Sequence, residues 1–225
     1  MLTLEQIKEA DANIEPEFGE MPIREMAFLT AILSKFYSNP VCFAGIFTGN
    51  DLEHFHSFFL KNSYKVHAYD AYPFLEQEDK ITFQQYVMQR HSDKPYVEYK
   101  WSDVSKSKEQ YSFIFNTAGY SCSIHNLLGN QNSPCVLLNA KGSSWHIFEH
   151  DFPYVFKHRW FDIFVNNDEA KDLFYEAIKE NYVKLKQLEF HIVKVGKSVF
   201  GNLDSFTNYK KFIKSLSSDI TSYSV

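Results

Sequence analysis

Two glycines and an aspartate carry the clearest chemical suggestion in this chain. Gly45 and Gly49 lie in the run Gly45-Ile46-Phe47-Thr48-Gly49-Asn50, and Asp70 follows about 20 positions later. Glycine lets a ligand approach the backbone closely. A helix N-terminus offers unpaired N–H groups and a partial positive charge. An acid at the tip of the next strand can accept hydrogen bonds from ribose hydroxyls. The spacing is Gly-x-x-x-Gly rather than G-x-G-x-x-G, which disfavours a turn built for a dinucleotide pyrophosphate. The competing reading is structural: the glycines make a tight strand-to-helix turn, and Asp70 opens the next loop.

The elements around these residues fit such a site. Val41 to Phe47 is an apolar run, and a turn follows from Gly45 to Asn50. Leu52, Phe55, Phe58 and Phe59 then recur at helical spacing up to the polar break Lys61-Asn62-Ser63. A second apolar run, Val66 to Tyr69, ends on Asp70. Strand, glycine turn, helix, strand, acid is the first half of a nucleotide-binding α/β unit. Downstream, the pattern predicts a helix over Ile81 to His91, then a strand over Val97 to Val104 ending near Asp103. Buried strands are expected at Tyr111 to Asn116 and Pro134 to Leu138, with a helical turn from Ile124 to Leu128 between them. Upstream, Thr3 to Ala12 and Pro22 to Tyr37 have helical character.

In the last third, Trp145 to Trp160 reads as an aromatic, histidine-rich loop and Phe161 to Val165 as a strand. Asn167 or Asp168 can cap a helix from Glu169 to Leu185. Phe190 to Val195 and Val199-Phe200 suggest a closing hairpin, and Phe206 to Leu216 a terminal helix. The expected organisation is one domain: a helical segment over 1–40, a Rossmann-like core over 41–205 and a tail over 206–225.

Composition narrows the function classes. The formal charge is −5 and the sequence pI is near 6.0, so a nucleic-acid partner is not expected. The 22 Phe and 14 Tyr point to an aromatic core or an aromatic-lined pocket. Cys42, Cys122 and Cys135 show no C-x-x-C spacing, and an odd count without a signal peptide argues for a reducing compartment and a cytoplasmic protein. No apolar run is long enough for a transmembrane helix, so no membrane partner is expected. The acidic N-terminus does not resemble a signal or transit peptide.

The Gly45–Asn50 run, followed by Ala68-Tyr69-Asp70-Ala71-Tyr72-Pro73, resembles class I S-adenosylmethionine (SAM)-dependent methyltransferases. The closest flavour is the macrocin or sugar O-methyltransferase group, and the resemblance spans roughly residues 22 to 140. It implies an α/β fold: a Rossmann-like three-layer sandwich with a mostly parallel sheet of about seven strands and an antiparallel pair at its end. It also implies S-adenosyl-L-methionine as cofactor. Gly45 and Gly49, with Thr48 in the same turn, would flank its methionine part, Asp70 would hold its ribose, and Asp103 would touch its adenine. Metal-dependent members of that group place an aspartate after the fourth strand and an acidic pair after the fifth. This chain has Thr117 and Asn139-Ala140 there. Hard cations need carboxylate oxygens, so no metal is expected at this place.

The activity implied is methyl transfer to a small polar acceptor such as a sugar hydroxyl. A hydroxyl acceptor benefits from a general base, and His125 is the histidine nearest the expected cleft. Tyr120, His146 and His150 are candidate substrate contacts. His146-Ile147-Phe148-Glu149-His150 also matches the H-x-x-E-H zinc-protease pattern, but Pro153 follows too closely for the required helix. Two other readings stay open: a non-catalytic SAM- or nucleotide-binding protein of the same fold, and a nucleotide-sugar enzyme using the same crevice. Self-association is also left open.

Overall fold

A computed structural model describes residues 5, 29, 31–36, 40–73, 75–117, 124–140, 154–157, 161–181 and 193–195. Residues 31–35 are helical and lead into β1 (Val41–Ala44). There follow α1 (Asn50–Asn62), β2 (Val66–Tyr69), α2 (Gln77–Arg90) and β3 (Val97–Lys100). A 3₁₀ turn (Val104–Lys106) precedes β4 (Phe113–Asn116), α3 (Ile124–Gly129) and β5 (Val136–Ala140). The last elements are β6 (Tyr154–Lys157), β7 (Phe161–Val165), α4 (Asp168–Glu180) and β8 (Val193–Val195).

Local chemistry sets the boundaries. β1 stops at Ala44, three residues short of its apolar run, because Gly45 takes φ 78°, a left-handed conformation no strand continues through. α1 runs through the polar break to Asn62 and is stopped by left-handed Ser63, not by polarity. α2 begins four residues earlier than its periodicity suggests, with Glu78 and Asp79 favourably placed in the first turn. β3 ends at Lys100, because Asp103 turns the chain: its carboxylate accepts from the Ser105 N–H at 2.9 Å. Asn167 caps α4 by accepting from the Ala170 N–H at 2.8 Å.

The strands form one sheet in the order β3-β2-β1-β4-β5-β7-β6-β8. The first five are parallel, β7 runs antiparallel between β5 and β6, and β8 is antiparallel to β6. Among the described residues the sheet has eight strands, five of them parallel, in line with the expected mostly parallel sheet of about seven. The unforeseen β6 lies in the stretch read as an aromatic loop, where four residues are too few to show alternation. β8 belongs to the expected closing hairpin, yet its partner is β6, with Val155 opposite Val195. Residues 199–200, the terminal helix and all but residue 5 of the Thr3–Ala12 helix lie outside the described residues.

Buried side chains cover both faces, giving three layers. On one face Ile32, Leu52, Phe55, Phe83 and Phe174 pack from the helices, with Phe36 beside them. On the other, Val104, Leu127 and Leu128 lie over Cys42, Ile114, Cys135 and Leu137. The phenylalanine content is spent here. The Phe43 ring centroid lies 5.3, 5.5 and 5.2 Å from those of Phe55, Phe59 and Phe115. Such pairs add about 0.5–1.5 kcal/mol each beyond the area they bury. Among the described residues, no helix is long and apolar enough to cross a membrane.

The strand order has one functional consequence. From β1 the chain steps outward to β3, then returns to lay β4 on the other side of β1. Ligands of open α/β sheets bind at the carboxyl ends beside such a reversal.

Candidate functional site

Three loops meet at that reversal. The Gly45–Gly49 turn leaves β1, Asp70 to Tyr72 leaves β2, and Thr117 leaves β4. The Thr117 N–H donates to the Ala44 carbonyl at 2.8 Å, and its hydroxyl donates to the Gly45 carbonyl. The β1 and β2 loops are also tied: the Gly45 N–H donates to the Tyr69 carbonyl at 2.8 Å.

Asp70 acts as a clasp. One carboxylate oxygen accepts from the Phe47 N–H and the other from the Tyr72 N–H, both at 2.8 Å. The Tyr72 hydroxyl closes the loop by donating to the Phe47 carbonyl at 2.7 Å. Phe47 and Tyr72 have φ of 48° and 41°, uncommon for bulky side chains and costly by about 1–3 kcal/mol each. They persist because the tyrosine ring is buried edge-on against Phe83, 4.8 Å between centroids, and Phe47 also packs on Phe83. Burial pushes the Asp70 carboxyl above the usual range, against the downward pull of the backbone N–H groups of Tyr72, Phe47 and Ala71.

The inner side of the turn is packed against protein. Thr48 and Gly49 are buried. A Cβ on Gly49 would lie 2.3 Å from His91 Nε2, so this glycine makes room for an imidazole. That nitrogen is 2.7 Å from the Thr48 carbonyl oxygen; a carbonyl only accepts, so Nε2 carries the proton. His91 Nδ1, without the proton, makes no hydrogen bond and lies 3.0 Å from Glu53 Oε1, which accepts from Lys94 Nζ at 2.8 Å. Arg90 donates to the Asn50 side-chain oxygen at 2.8 Å. The first turn of α1 is therefore braced by the C-terminal end of α2.

A second buried network lies behind Tyr69. His67 Nδ1 is 2.9 Å from the Tyr111 hydroxyl, which is 2.9 Å from the Tyr69 hydroxyl, which is 2.9 Å from Ser107 Oγ. Burial holds His67 and His91 below the ordinary imidazole pKa, against the upward pull of Glu98 on the first and of the Thr48 carbonyl on the second. A depressed folded pKa means the unfolded chain takes up more protons, so this stability is present above pH 6.5 and lost as pH falls through the folded values. The urea midpoint should accordingly fall as pH is lowered from 6.5 towards about 5, alongside imidazole NMR titrations below 6.5 for both rings. A midpoint unchanged over that range would refute it.

Further along the carboxyl edge, Asn116 and Asn139 are fully buried neighbours on β4 and β5, and the Asn116 amide donates to Asn139 Oδ1 at 2.7 Å. The edge beside Thr117 thus carries a buried amide pair.

The structure brings Gly45, Thr48, Gly49 and Asp70 together. Asp103 lies beyond β3 with its carboxylate engaged in capping. His125 is on α3; Tyr120, His146 and His150 lie outside the described residues. Sequence reading missed the clasp partners Phe47 and Tyr72, the brace of His91, Glu53 and Lys94, and the His67 network. Only one sign was available for the first: a tyrosine two residues after an acid at a strand tip.

No protein-family model matches the chain, and no curated protein does. Among solved structures it is similar to magnesium protoporphyrin IX methyltransferase from Synechocystis PCC 6803 with bound SAM, at 11% identity over 64% of this chain and 79% of that one, TM-score 0.41. It is similar to a SAM-dependent O-methyltransferase from Thermotoga maritima, at 12% identity over 71% and 69%, TM-score 0.44. A third is an SAH-bound methyltransferase from Podospora anserina, at 11% identity over 82% and 78%, TM-score 0.41. Likenesses this remote carry no functional argument, and the reading below stands on the chain's own residues.

Proposed function

We propose that the protein binds SAM at the β1–β4 reversal and transfers its methyl group to an acceptor. The observation that carries this reading is the Asp70 clasp, an acid at the tip of β2 fastened to the glycine turn after β1. Its chemistry fits a ribose. A carboxylate has about four lone-pair sites, and two of those on Asp70 take backbone N–H groups. The others suit the two hydroxyls of a ribose diol, whose donors would relieve a desolvated charge. Gly45, Thr48 and Gly49 would shape the turn around the methionine part, with Asp103 towards the adenine. The antiparallel β7 between β5 and β6 agrees with the resemblance drawn from the sequence.

When bound, SAM would supply an electrophilic methyl carbon on a sulfonium, with the sulfur as leaving group. The residues' task is positioning, which supplies most of the rate in such a displacement. His125 is proposed as the base taking the acceptor's proton, and Tyr120, His146 and His150 as acceptor contacts. A small polar acceptor, a sugar hydroxyl among them, is the proposed class, in a cytoplasmic protein of one domain.

The second reading is a SAM-binding protein without turnover, favoured by Thr117 and Asn139-Ala140 standing where the resembled group has acids. Calorimetric titration with SAM and with S-adenosylhomocysteine (SAH) tests the site. Micromolar binding of either supports it, and no binding at millimolar ligand overturns both readings. Formation of SAH with candidate acceptors then separates enzyme from binder.

A further inference from the structure

A cleft of about 410 Å³ opens beside β2 and β3, lined by Tyr69, Lys100, Ser102, Lys106, Ser107, Lys108 and Glu109. Three lysines and one glutamate are among the lining residues, on a chain whose formal charge is −5. Lys100 is paired with Glu98. Lys106 and Lys108 are exposed and make no ion pair among the described residues. Such a concentration of cations against the overall charge marks a site for an anion. Lysine is a compact point charge that suits a tetrahedral phosphate, whereas the planar fork that selects carboxylates would be an arginine, and none lines the cleft.

The floor of the cleft is the second observation. Ser107 Oγ ends the chain of hydroxyls that runs through Tyr69 and Tyr111 to His67 Nδ1. His67 Nε2 lies 3.3 Å from Glu98 Oε2 at the other end. With His67 neutral, Nε2 holds the proton towards Glu98 and Nδ1 accepts from Tyr111. Tyr111 then accepts from Tyr69, and Tyr69 from Ser107, whose proton points inward. Ser107 also accepts from the Glu109 N–H at 3.2 Å, so it has no donor left for a ligand. Protonating His67 at Nδ1 reverses every bond in the chain and turns the Ser107 O–H towards the cleft. The charged groups acting on His67 are Glu98 and Lys100 from β3 and Glu109 from the segment before β4; Tyr69 and Tyr111 complete its surroundings.

We propose that this cleft binds the phosphate of a small phosphomonoester, and that its occupation is coupled to proton uptake by His67 through the reversible Ser107–Tyr69–Tyr111 chain. The proposal does not depend on SAM: the cleft can fill whether or not the glycine turn holds a cofactor.

The test is NMR titration of the full chain with inorganic phosphate at constant ionic strength, with chloride as control, following the Lys106 and Lys108 side chains and the His67 ring. A saturable response is expected, with the His67 pKa rising on occupation. Lys106→Gln with Lys108→Gln, both exposed, should weaken phosphate binding by at least about tenfold with the fold unchanged by circular dichroism. Ser107→Ala should still bind phosphate, more weakly, while the His67 pKa no longer responds. A ring that responds in Ser107→Ala as in the native chain would overturn the coupling, since a through-space field needs no hydroxyl. No saturable response, or one unaffected by the lysine pair, would overturn the site. Displacement of phosphate by a 5′-hydroxyl oligonucleotide, at equal phosphate concentration, would overturn the small ligand in favour of a nucleic-acid backbone.

Discussion

Asp70→Ala is expected to weaken SAM binding by at least about 100-fold and to destabilise the fold by about 2 kcal/mol. The affinity estimate follows from two ribose donors losing an ionised acceptor, at about 1.5–3 kcal/mol per bond. The stability estimate is smaller than the two lost backbone bonds, from Phe47 and Tyr72, would give by themselves. The substitution also removes a carboxylate whose ionisation burial opposes. For a carboxyl with a raised folded pKa, stability is present below the unfolded value of 3.8 and lost as pH rises through the folded one. Ligand binding should run the other way, weakening as pH falls through the raised pKa and the acceptor is protonated. Calorimetry with SAM and urea unfolding measure the two effects separately. Unchanged affinity in a folded Asp70→Ala protein would sink the ribose assignment, and Asp70→Asn, which keeps one accepting oxygen, should lie between.

Gly49→Ala should be the more damaging change to the fold, by about 3–5 kcal/mol. Two penalties add. Holding an alanine at φ 85° costs about 1–2 kcal/mol. The methyl would also sit 2.3 Å from Nε2 and 2.7 Å from Cδ2 of His91, a ring 1% exposed and tied to the Thr48 carbonyl. That ring cannot swing aside without breaking the brace. Adding His91→Ala to Gly49→Ala should recover the overlap but not the backbone strain, so the double variant should be more stable than the sum of the singles predicts. Urea midpoints of all four proteins close the cycle. A Gly49→Ala protein within about 1 kcal/mol of the native chain would show that the turn can relax away from α2.

Gly49 also shows where the sequence was readable and where it was not. Its position after an apolar run and before a helical spacing identified the turn, and the fully buried parallel strands announced themselves as short apolar runs. Spacing cannot say what a glycine makes room for, because His91 is over forty residues away and looks like any polar residue at a helix end. The same limit hid Tyr72, whose hydroxyl reaches back to Phe47, and the pairing of Asn116 with Asn139. β6 was missed for another reason: YVFK is too short for a period, and aromatic neighbours on both sides blurred its edges. Asp103 was legible as the end of the third strand, and the structure finds it capping the turn that follows. The candidate acceptor residues rest on residue type and place in the chain, since beyond the four-residue spacing of His146 and His150 no pattern ties them to one another.

The mutual hold of Phe47 and Tyr72 bears on how portable this turn is. Neither residue would choose its backbone angle alone, and each is kept there by the other, by Asp70 and by an aromatic ring buried on α2. The six residues from Gly45 to Asn50 therefore do not encode their own shape. Grafted onto another scaffold without β2 and α2, the segment would relax to ordinary angles. Here its ordering cost is met during folding, so a ligand arriving at the turn finds it already formed.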